Sequence, residues 1–298
     1  MAARGPLIVL CAPRSFSSVA CAMLGQHPEM YGFPELNLFV TDTVGELLKL
    51  DSVTIEAAGR PGANYTPGLV RAVAQLHFGE QTEDTATRAL AWLMDRVDWS
   101  TGRMFNYLLN TVHPRIGIDK SPRTALSTLA LSRAMEFCPG SMFLHLTRHP
   151  VATLRSMARR RPPAQIPDAE FARFAVQLWC SVQQTIMTAA EVGPASRFLR
   201  VRGEDLLNNP AAELFGIAHW LGIRDDPAAL EEMLHPERSP YARIGPWPSD
   251  GDQDPGFLSS PLLRAADTSS LLALPEEWRL CNEDKANVLT TARSLGYE

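Results

Sequence analysis

Four consecutive apolar residues, Leu7 to Leu10, run straight into Cys11-Ala12-Pro13-Arg14-Ser15-Phe16-Ser17-Ser18 and then into a helical stretch through Val19, Ala20, Met23 and Leu24. A short strand without a polar face reads as a parallel strand covered on both sides, and parallel strands are joined by crossover helices. That one segment already confines the chain to an α/β architecture. The turn also brings an arginine and three hydroxyls to a helix N-terminus. The first N–H groups of a helix lack intrahelical partners, and the macrodipole leaves about half a positive charge there, so the turn is a seat for a phosphate or sulfate group. The triphosphatase pattern G-x-x-x-x-G-K-[ST] is not the one used, because its glycines and its lysine are missing.

Two further segments repeat the design of a strand ending in cationic or hydroxyl groups. Ser141 to Thr147 reads as a buried strand and leads into Arg148-His149-Pro150, with Ser156 eight residues after the arginine. An arginine at a strand's carboxyl end presents a rigid fork of donors, and Pro150 suits the first turn of the next helix. Ile116-Gly117-Ile118-Asp119-Lys120-Ser121-Pro122 lies between these two segments in the chain.

In type and order, the three segments resemble sulfotransferases that use 3′-phosphoadenosine 5′-phosphosulfate (PAPS), nearest in pattern to the tyrosylprotein type and related bacterial enzymes. The resemblance covers roughly residues 5–40 and 115–210. It implies a P-loop-like parallel β-sheet flanked by helices on both faces, with additional helical insertions, in a single domain over 1–298. Residues 5–40 and 115–210 would form the nucleotide-binding core, and the mainly helical 41–114 and 211–298 the acceptor side and lid.

The resemblance also assigns roles by position. Arg14, Ser15, Phe16, Ser17 and Ser18 would hold the 5′-phosphosulfate, and Arg148 and Ser156 the 3′-phosphate. Lys120 would stand near the leaving phosphate. Glu35, after the short strand near Met30 to Phe33, would be the general base, with Arg14 and Lys120 completing the catalytic set. Read without the resemblance, Glu35 is an acidic residue in a first helical turn, and Ser17 and Ser18 are ordinary helix caps. Two positions depart from the family pattern: Phe16 stands where glycine is usual, and Gly203, in Arg200-Val201-Arg202-Gly203-Glu204-Asp205-Leu206, stands where the family has tyrosine.

Periodicity extends the βα alternation along the chain. Strands are expected at 6–11, 115–119, 142–147 and 198–201, and helices at 17–26, 123–137, 150–159 and 168–191. Several more helices fall between about 36 and 112, and the chain beyond Glu204 is again mainly helical. The predicted helix at 123–137 would turn Leu126, Leu129 and Leu131 to its apolar side, and Phe171, Phe174, Ala175, Leu178 and Val182 share one face of the next. A Pro- and Gly-rich stretch from Pro236 to Pro261, including Pro240 to Gly251, is long and irregular enough to be a lid or a surface loop.

The net charge of −5, from 33 acidic and 28 basic residues, argues against general nucleic-acid binding. An anionic donor would have to be drawn by a local basic pocket. The five cysteines, Cys11, Cys21, Cys138, Cys180 and Cys281, are scattered and odd in number, so they read as thiols of a reducing, cytoplasmic compartment. No apolar stretch approaches the ~20 residues of a membrane span. No histidine and cysteine spacing suggests a metal, and none is expected. His145 reads as a core histidine, while His113 and His235 stand as secondary candidates for the base. Arg159-Arg160-Arg161 reads as a basic helix end.

Phe39, Trp92, Trp99, Phe105, Tyr107, Trp247 and Phe257 are either core aromatics or the lining of an acceptor pocket. A hydroxyl or phenol on a small molecule or a carrier-bound intermediate is the expected acceptor. A P-loop-like small-molecule kinase and a noncatalytic nucleotide-binding module are the competing readings.

Overall fold

The computed structural model describes residues 5–58, 65–159, 169–246, 254–267 and 272–298. Its centre is a five-stranded parallel sheet of β1 (Leu7–Leu10), β2 (Met30–Gly32), β3 (Ile116–Asp119), β4 (Met142–Thr147) and β5 (Phe198–Arg202), in the order β2-β3-β1-β4-β5. Register is continuous across it: Leu7 pairs with Ile118 on one side and Met142 on the other, and Phe143 pairs with Phe198. Leu7 to Leu10 are completely buried, as a strand apolar on both faces requires.

Helices cover both faces. The chain builds α1 (Ser17–Leu24), α2 (Val44–Ala58), α3 (Pro67–Phe78), α4 (Glu83–Met94), α5 (Thr101–Val112), α6 (Thr128–Phe137), α7 (Pro150–Ala158) and α8 (Ala169–Val192). It then adds α9 (Gly203–Asn208), α10 (Pro210–Leu221), α11 (Pro227–Glu232), α12 (Pro255–Ser259) and α13 (Asn282–Ser294). Ile8 and Leu10 point into a cluster with Phe33, Phe39, Phe105, Val176 and Trp179. Leu7 and Val9 point the other way, to Met23, Leu24, Leu206 and Ile217. The period-two alternation of a strand therefore divides β1 between two apolar layers.

Two expectations are corrected. The predicted helix at 123–137 is two pieces, a 3-10 turn at Pro122–Leu126 and then α6. Ser127 sits between them at φ −138° and its hydroxyl accepts from the Ala130 N–H, so it ends one element by capping the next. The change of axis leaves Leu126 and Leu129 exposed, and of the three leucines Leu131 alone is buried. In α8, Phe174 is likewise exposed while Ala175 and Val182 face the core.

Long-range polar anchors fix the loops around the sheet. Arg71 of α3 is fully buried; its Nε donates to Gln81 Oε1 at 2.9 Å and an Nη donates to the Arg243 carbonyl at 3.0 Å. Gln81 also donates to the Pro240 carbonyl at 2.9 Å, so the start of the Pro-rich stretch is tied to the helical insertion. The rest of that stretch up to Asp254, Trp247 included, lies outside the described residues, as do Arg160 and Arg161. His145 is a core histidine: its Nε2 contacts Gln183 Oε1 at 2.6 Å, and burial pushes its pKa down to about 4. Among the described residues, no helix is long and apolar enough to cross a membrane.

Candidate active site

The carboxyl ends of the strands carry the chemistry, at the edge where open parallel sheets bind ligands. β1 ends in the loop at Cys11 to Phe16, β3 in Asp119-Lys120, and β4 in Arg148. A cavity of about 530 Å³ opens over them, lined among others by Arg14, Phe16, Ser17, Ser18, Glu35 and Arg148. That volume is typical of small-ligand sites.

The first loop turns sharply. Arg14 and Phe16 both take left-handed φ values, 70° and 61°, and Phe16 caps α1 through its backbone without a side-chain bond. Ser15 is fully buried and its hydroxyl has no protein partner. Such an orphaned hydroxyl at a helix N-terminus is a fitting contact for an anion. Arg14 extends from this turn so that Nε donates to Ser156 Oγ at 3.1 Å and an Nη meets Asp254 Oδ2 at 3.0 Å. Arg148 reaches the same turn, donating from Nη1 to the Arg14 carbonyl at 2.7 Å. Its Nε is buried without a partner, and its guanidinium lies 4.0 Å from the centre of the Phe16 ring. Burial pushes the Arg148 pKa down to about 10, which leaves it cationic at neutral pH.

Lys120 lies behind the cavity wall, between two of its lining residues, Ser18 and Glu35. It is almost fully buried, and its Nζ donates to Glu35 Oε1 at 2.7 Å and to Ser18 Oγ at 3.3 Å. One ammonium group therefore joins the first helical turn of α1 to the carboxylate after β2. In the sheet β3 lies between β2 and β1, yet the segment after β2 brings Glu35 to the cavity that the first loop lines. Lys120, at the end of that intervening strand, spans the gap.

Several positioning groups were not apparent from the sequence. Gly68 of α3 packs on the Glu35 backbone so closely that an added Cβ would fall 2.0 Å from the Glu35 carbonyl oxygen. Just beyond Glu35, the Asn37 N–H donates to Ser121 Oγ at 2.9 Å, and Ser121 donates on to the buried Asp119 at 2.9 Å. Burial raises the Asp119 pKa to about 7. Behind Arg148, Glu204 accepts from the His149 N–H at 2.9 Å and from the Tyr297 hydroxyl at 3.2 Å. Glu204 thus braces the end of β4 against the last turn of the chain. No local pattern signals Gly68 or Tyr297, whose partners lie 33 and 93 or more residues away.

The remaining candidates stand elsewhere. His113 is exposed, before the amino end of β3 and hence at the opposite edge of the sheet. His235 pairs with Glu237 at 3.0 Å and does not line the cavity. Of the seven aromatic residues singled out, Phe257 lines the cavity. Phe39 and Phe105 are core, and Trp92, Trp99 and Tyr107 stack together with His77 and Arg96 on the helical insertion. The cavity mouth is completed by Arg123, Leu126, Leu262 and Arg264. Four cysteines are buried free thiols, and burial pushes Cys11 and Cys21 up to about 12; Cys281 is exposed at the start of α13. Among the described residues, no group of three His, Cys, Asp or Glu side chains is arranged to hold a metal ion.

Comparison with known proteins adds to this geometry. A family model described as "Sulfotransferase family" matches residues 6–227. Among solved structures, the sulfotransferase domain from the curacin biosynthetic pathway is similar with a TM-score of 0.78 and 23% identity, over 99% of this chain and 98% of that one. The sulfotransferase domain from the Synechococcus PCC 7002 olefin synthase is similar with a TM-score of 0.74 and 25% identity, over 100% of this chain and 98% of that one. A sulfotransferase from Mycobacterium avium matches with a TM-score of 0.55 and 16% identity, over 100% of this chain and 78% of that one. No curated protein sequence matches.

Proposed function

The chain belongs to the sulfotransferase family, and from that premise we propose that it transfers the sulfuryl group of PAPS to a hydroxyl or phenol of a small-molecule or carrier-bound acceptor, with Glu35 as general base. The observation that carries the proposal is the Ser18–Lys120–Glu35 chain of contacts, whose two ends line the same cavity as Arg14 and Arg148.

The residues suit the donor. Ser15 and Arg148 each keep a buried polar atom without a protein partner, and both lie at the anion seat formed by the first turn of α1. PAPS supplies an electrophilic sulfur and a bisphosphate leaving group. Arg148 and Ser156 would hold the 3′-phosphate, and Arg14 with Ser15, Phe16, Ser17 and Ser18 the phosphosulfate end. In sulfuryl transfer the acceptor oxygen forms its bond to sulfur while the bond from sulfur to the phosphate oxygen breaks. Glu35 accepts the acceptor's proton, and the electron pair departs on the phosphate. Lys120, paired with Glu35 and Ser18, would offset the charge that gathers on the leaving oxygen. A donor with like charges near Arg14 must also replace Asp254, which now holds that guanidinium.

Leu126, Leu262 and Phe257 at the mouth favour an acceptor with apolar surface, and Arg123 and Arg264 beside them favour one that carries negative charge. A carrier-tethered acyl chain with a hydroxyl has both properties, and two of the similar structures are domains of a biosynthetic pathway and of a synthase. Free thiols fit the cytoplasm as the place of action.

Calorimetry with adenosine 3′,5′-bisphosphate and with ATP tests the donor. Bisphosphate should bind in the micromolar range, and binding of ATP without the bisphosphate would end the proposal. A Glu35→Gln variant should bind bisphosphate normally and lose turnover with PAPS. Unchanged turnover would remove Glu35 from the chemistry, and no turnover in any form of the protein would favour a noncatalytic nucleotide-binding module.

A further inference from the structure

We propose that Phe16 is a positioning residue for Arg148, its ring supporting the guanidinium plane that meets the nucleotide, and that Gly203 is kept free of a side chain to accommodate that ring. The inference rests on the donor reading above. Three independent features support it. First, Phe16 stands at φ 61°, in the left-handed region that glycine occupies without steric cost and a bulky residue does not. Phenylalanine carries a backbone cost there that glycine would not, and its side-chain contacts are what can offset it. Second, the Arg148 Cζ lies 4.0 Å from the ring centre, within stacking distance of its face. Third, the ring fills the space above Gly203, where an added Cβ would come within 2.7 Å of Phe16 Cδ2 and 3.1 Å of the Thr147 carbonyl oxygen.

Arg148 needs such a support. Its Nη1 is fixed by the Arg14 carbonyl at 2.7 Å, which leaves rotation about that contact as the remaining freedom. Burial leaves Nε without a protein partner to restrain it. A flat ring beneath the guanidinium removes that freedom and aims the remaining donors at the cavity, which both residues line. Arginine is suited to this use because a planar, weakly hydrated cation stacks well and can still bind a phosphate through its edge.

Phe16→Gly relieves the left-handed conformation but also removes a ring packed on the apolar layer, so the melting temperature is measured beside binding and should show a folded protein. The same variant should weaken binding of adenosine 3′,5′-bisphosphate by about 3- to 30-fold, the span of a lost cation–π contact, and leave adenosine 5′-monophosphate within about twofold. Phe16→Tyr should restore bisphosphate binding, and Phe16→Leu should not. Gly203→Ala should impair bisphosphate binding in the parent protein and do so less in the Phe16→Gly background.

The outcomes separate the two claims. If Arg148→Ala weakens bisphosphate selectively and Phe16→Gly does not, the positioning role is wrong and the donor reading stands. Equal weakening of both nucleotides by Phe16→Gly also overturns the positioning role, because the ring would then serve the site as a whole. Equal weakening of both by Arg148→Ala overturns the assignment of Arg148 to the 3′-phosphate.

Discussion

Replacing Asp254 with asparagine should tighten the binding of adenosine 3′,5′-bisphosphate. Asp254 Oδ2 lies 3.0 Å from an Arg14 Nη, with side-chain exposures of 28% and 24%, and both residues line the cavity. The carboxylate therefore occupies the seat that a phosphate or sulfate would take. Two terms set the magnitude. A partly exposed ion pair that must break before the ligand binds contributes about 0.5–1 kcal/mol. Repulsion between the carboxylate and an incoming anion adds a similar amount once solvent screening is applied to the Coulomb energy at the effective dielectric of a protein surface. Their sum of about 1–2 kcal/mol corresponds to roughly 5- to 30-fold tighter binding. Asparagine isolates the charge, because Asp254 Oδ1 also caps α12 through the Gly256 N–H at 3.0 Å, and asparagine caps a helix equally well. Titration calorimetry at about 0.05 M and 0.5 M salt measures the effect, and the gain should shrink at the higher concentration as screening sets in. Affinity that is unchanged or lower at both concentrations would refute the reasoning, since Asp254 would then be orienting Arg14 for the ligand and not competing with it.

Three further outcomes are expected. Lys120→Ala should lower stability by about 2–4 kcal/mol in urea denaturation, because it leaves Glu35 without its partner; the lower end is favoured since the Glu35 side chain keeps 21% exposure. Wild-type stability in this variant would show that the pair contributes nothing net. Asp119 binds its proton up to about pH 7 in the folded protein and only up to about pH 4 when unfolded, so its contribution to stability declines as pH rises between those values, by at most about 4 kcal/mol. Asp119→Asn should flatten that part of the stability profile, and a profile parallel to the parent's would mean that Asp119 does not carry the proton. Gly68→Ala should cut kcat strongly while bisphosphate affinity holds, because the new Cβ displaces the Glu35 backbone and spares the arginines; a parallel loss of affinity would mean that the shift spreads through the whole site.

The fold class was legible because short, mainly apolar strands, β1 most completely, alternate with helical patterns, and those are local features. Arg14, Lys120, Arg148 and Ser156 could be singled out because the family resemblance marks positions just after strand ends and helix starts; Arg14 and Arg148 line one cavity, and Ser156 and Lys120 are hydrogen-bonded to residues that line it. Sheet order was not legible in the same way. β2 follows β1 in the chain, yet β3 is inserted between them after four intervening helices, a choice made by packing. The break at Ser127 was hidden because leucines recur at helical spacing on both sides of it, and only the cap reveals that the axis changes. The aromatic residues of the insertion stayed open between core and acceptor lining for a related reason. An indole at helical spacing looks the same whether it faces a ligand or another indole, and Trp92, Trp99 and Tyr107 face one another. Contacts such as Arg14 with Asp254 or Glu204 with Tyr297 join residues with no sequence relation, so only the folded chain displays them.

The distribution of thiols has a practical consequence. Cys11 and Cys21 flank the anion seat, but burial keeps them in the unreactive protonated form far above neutral pH, while Cys281 is exposed at the head of α13. A maleimide dye applied to the native protein should therefore attach at Cys281 and leave the loop after β1 intact. The wild-type chain already carries a fluorescent handle, remote in sequence from every group assigned to the chemistry, with which ligand-induced motion can be followed without engineering a new cysteine.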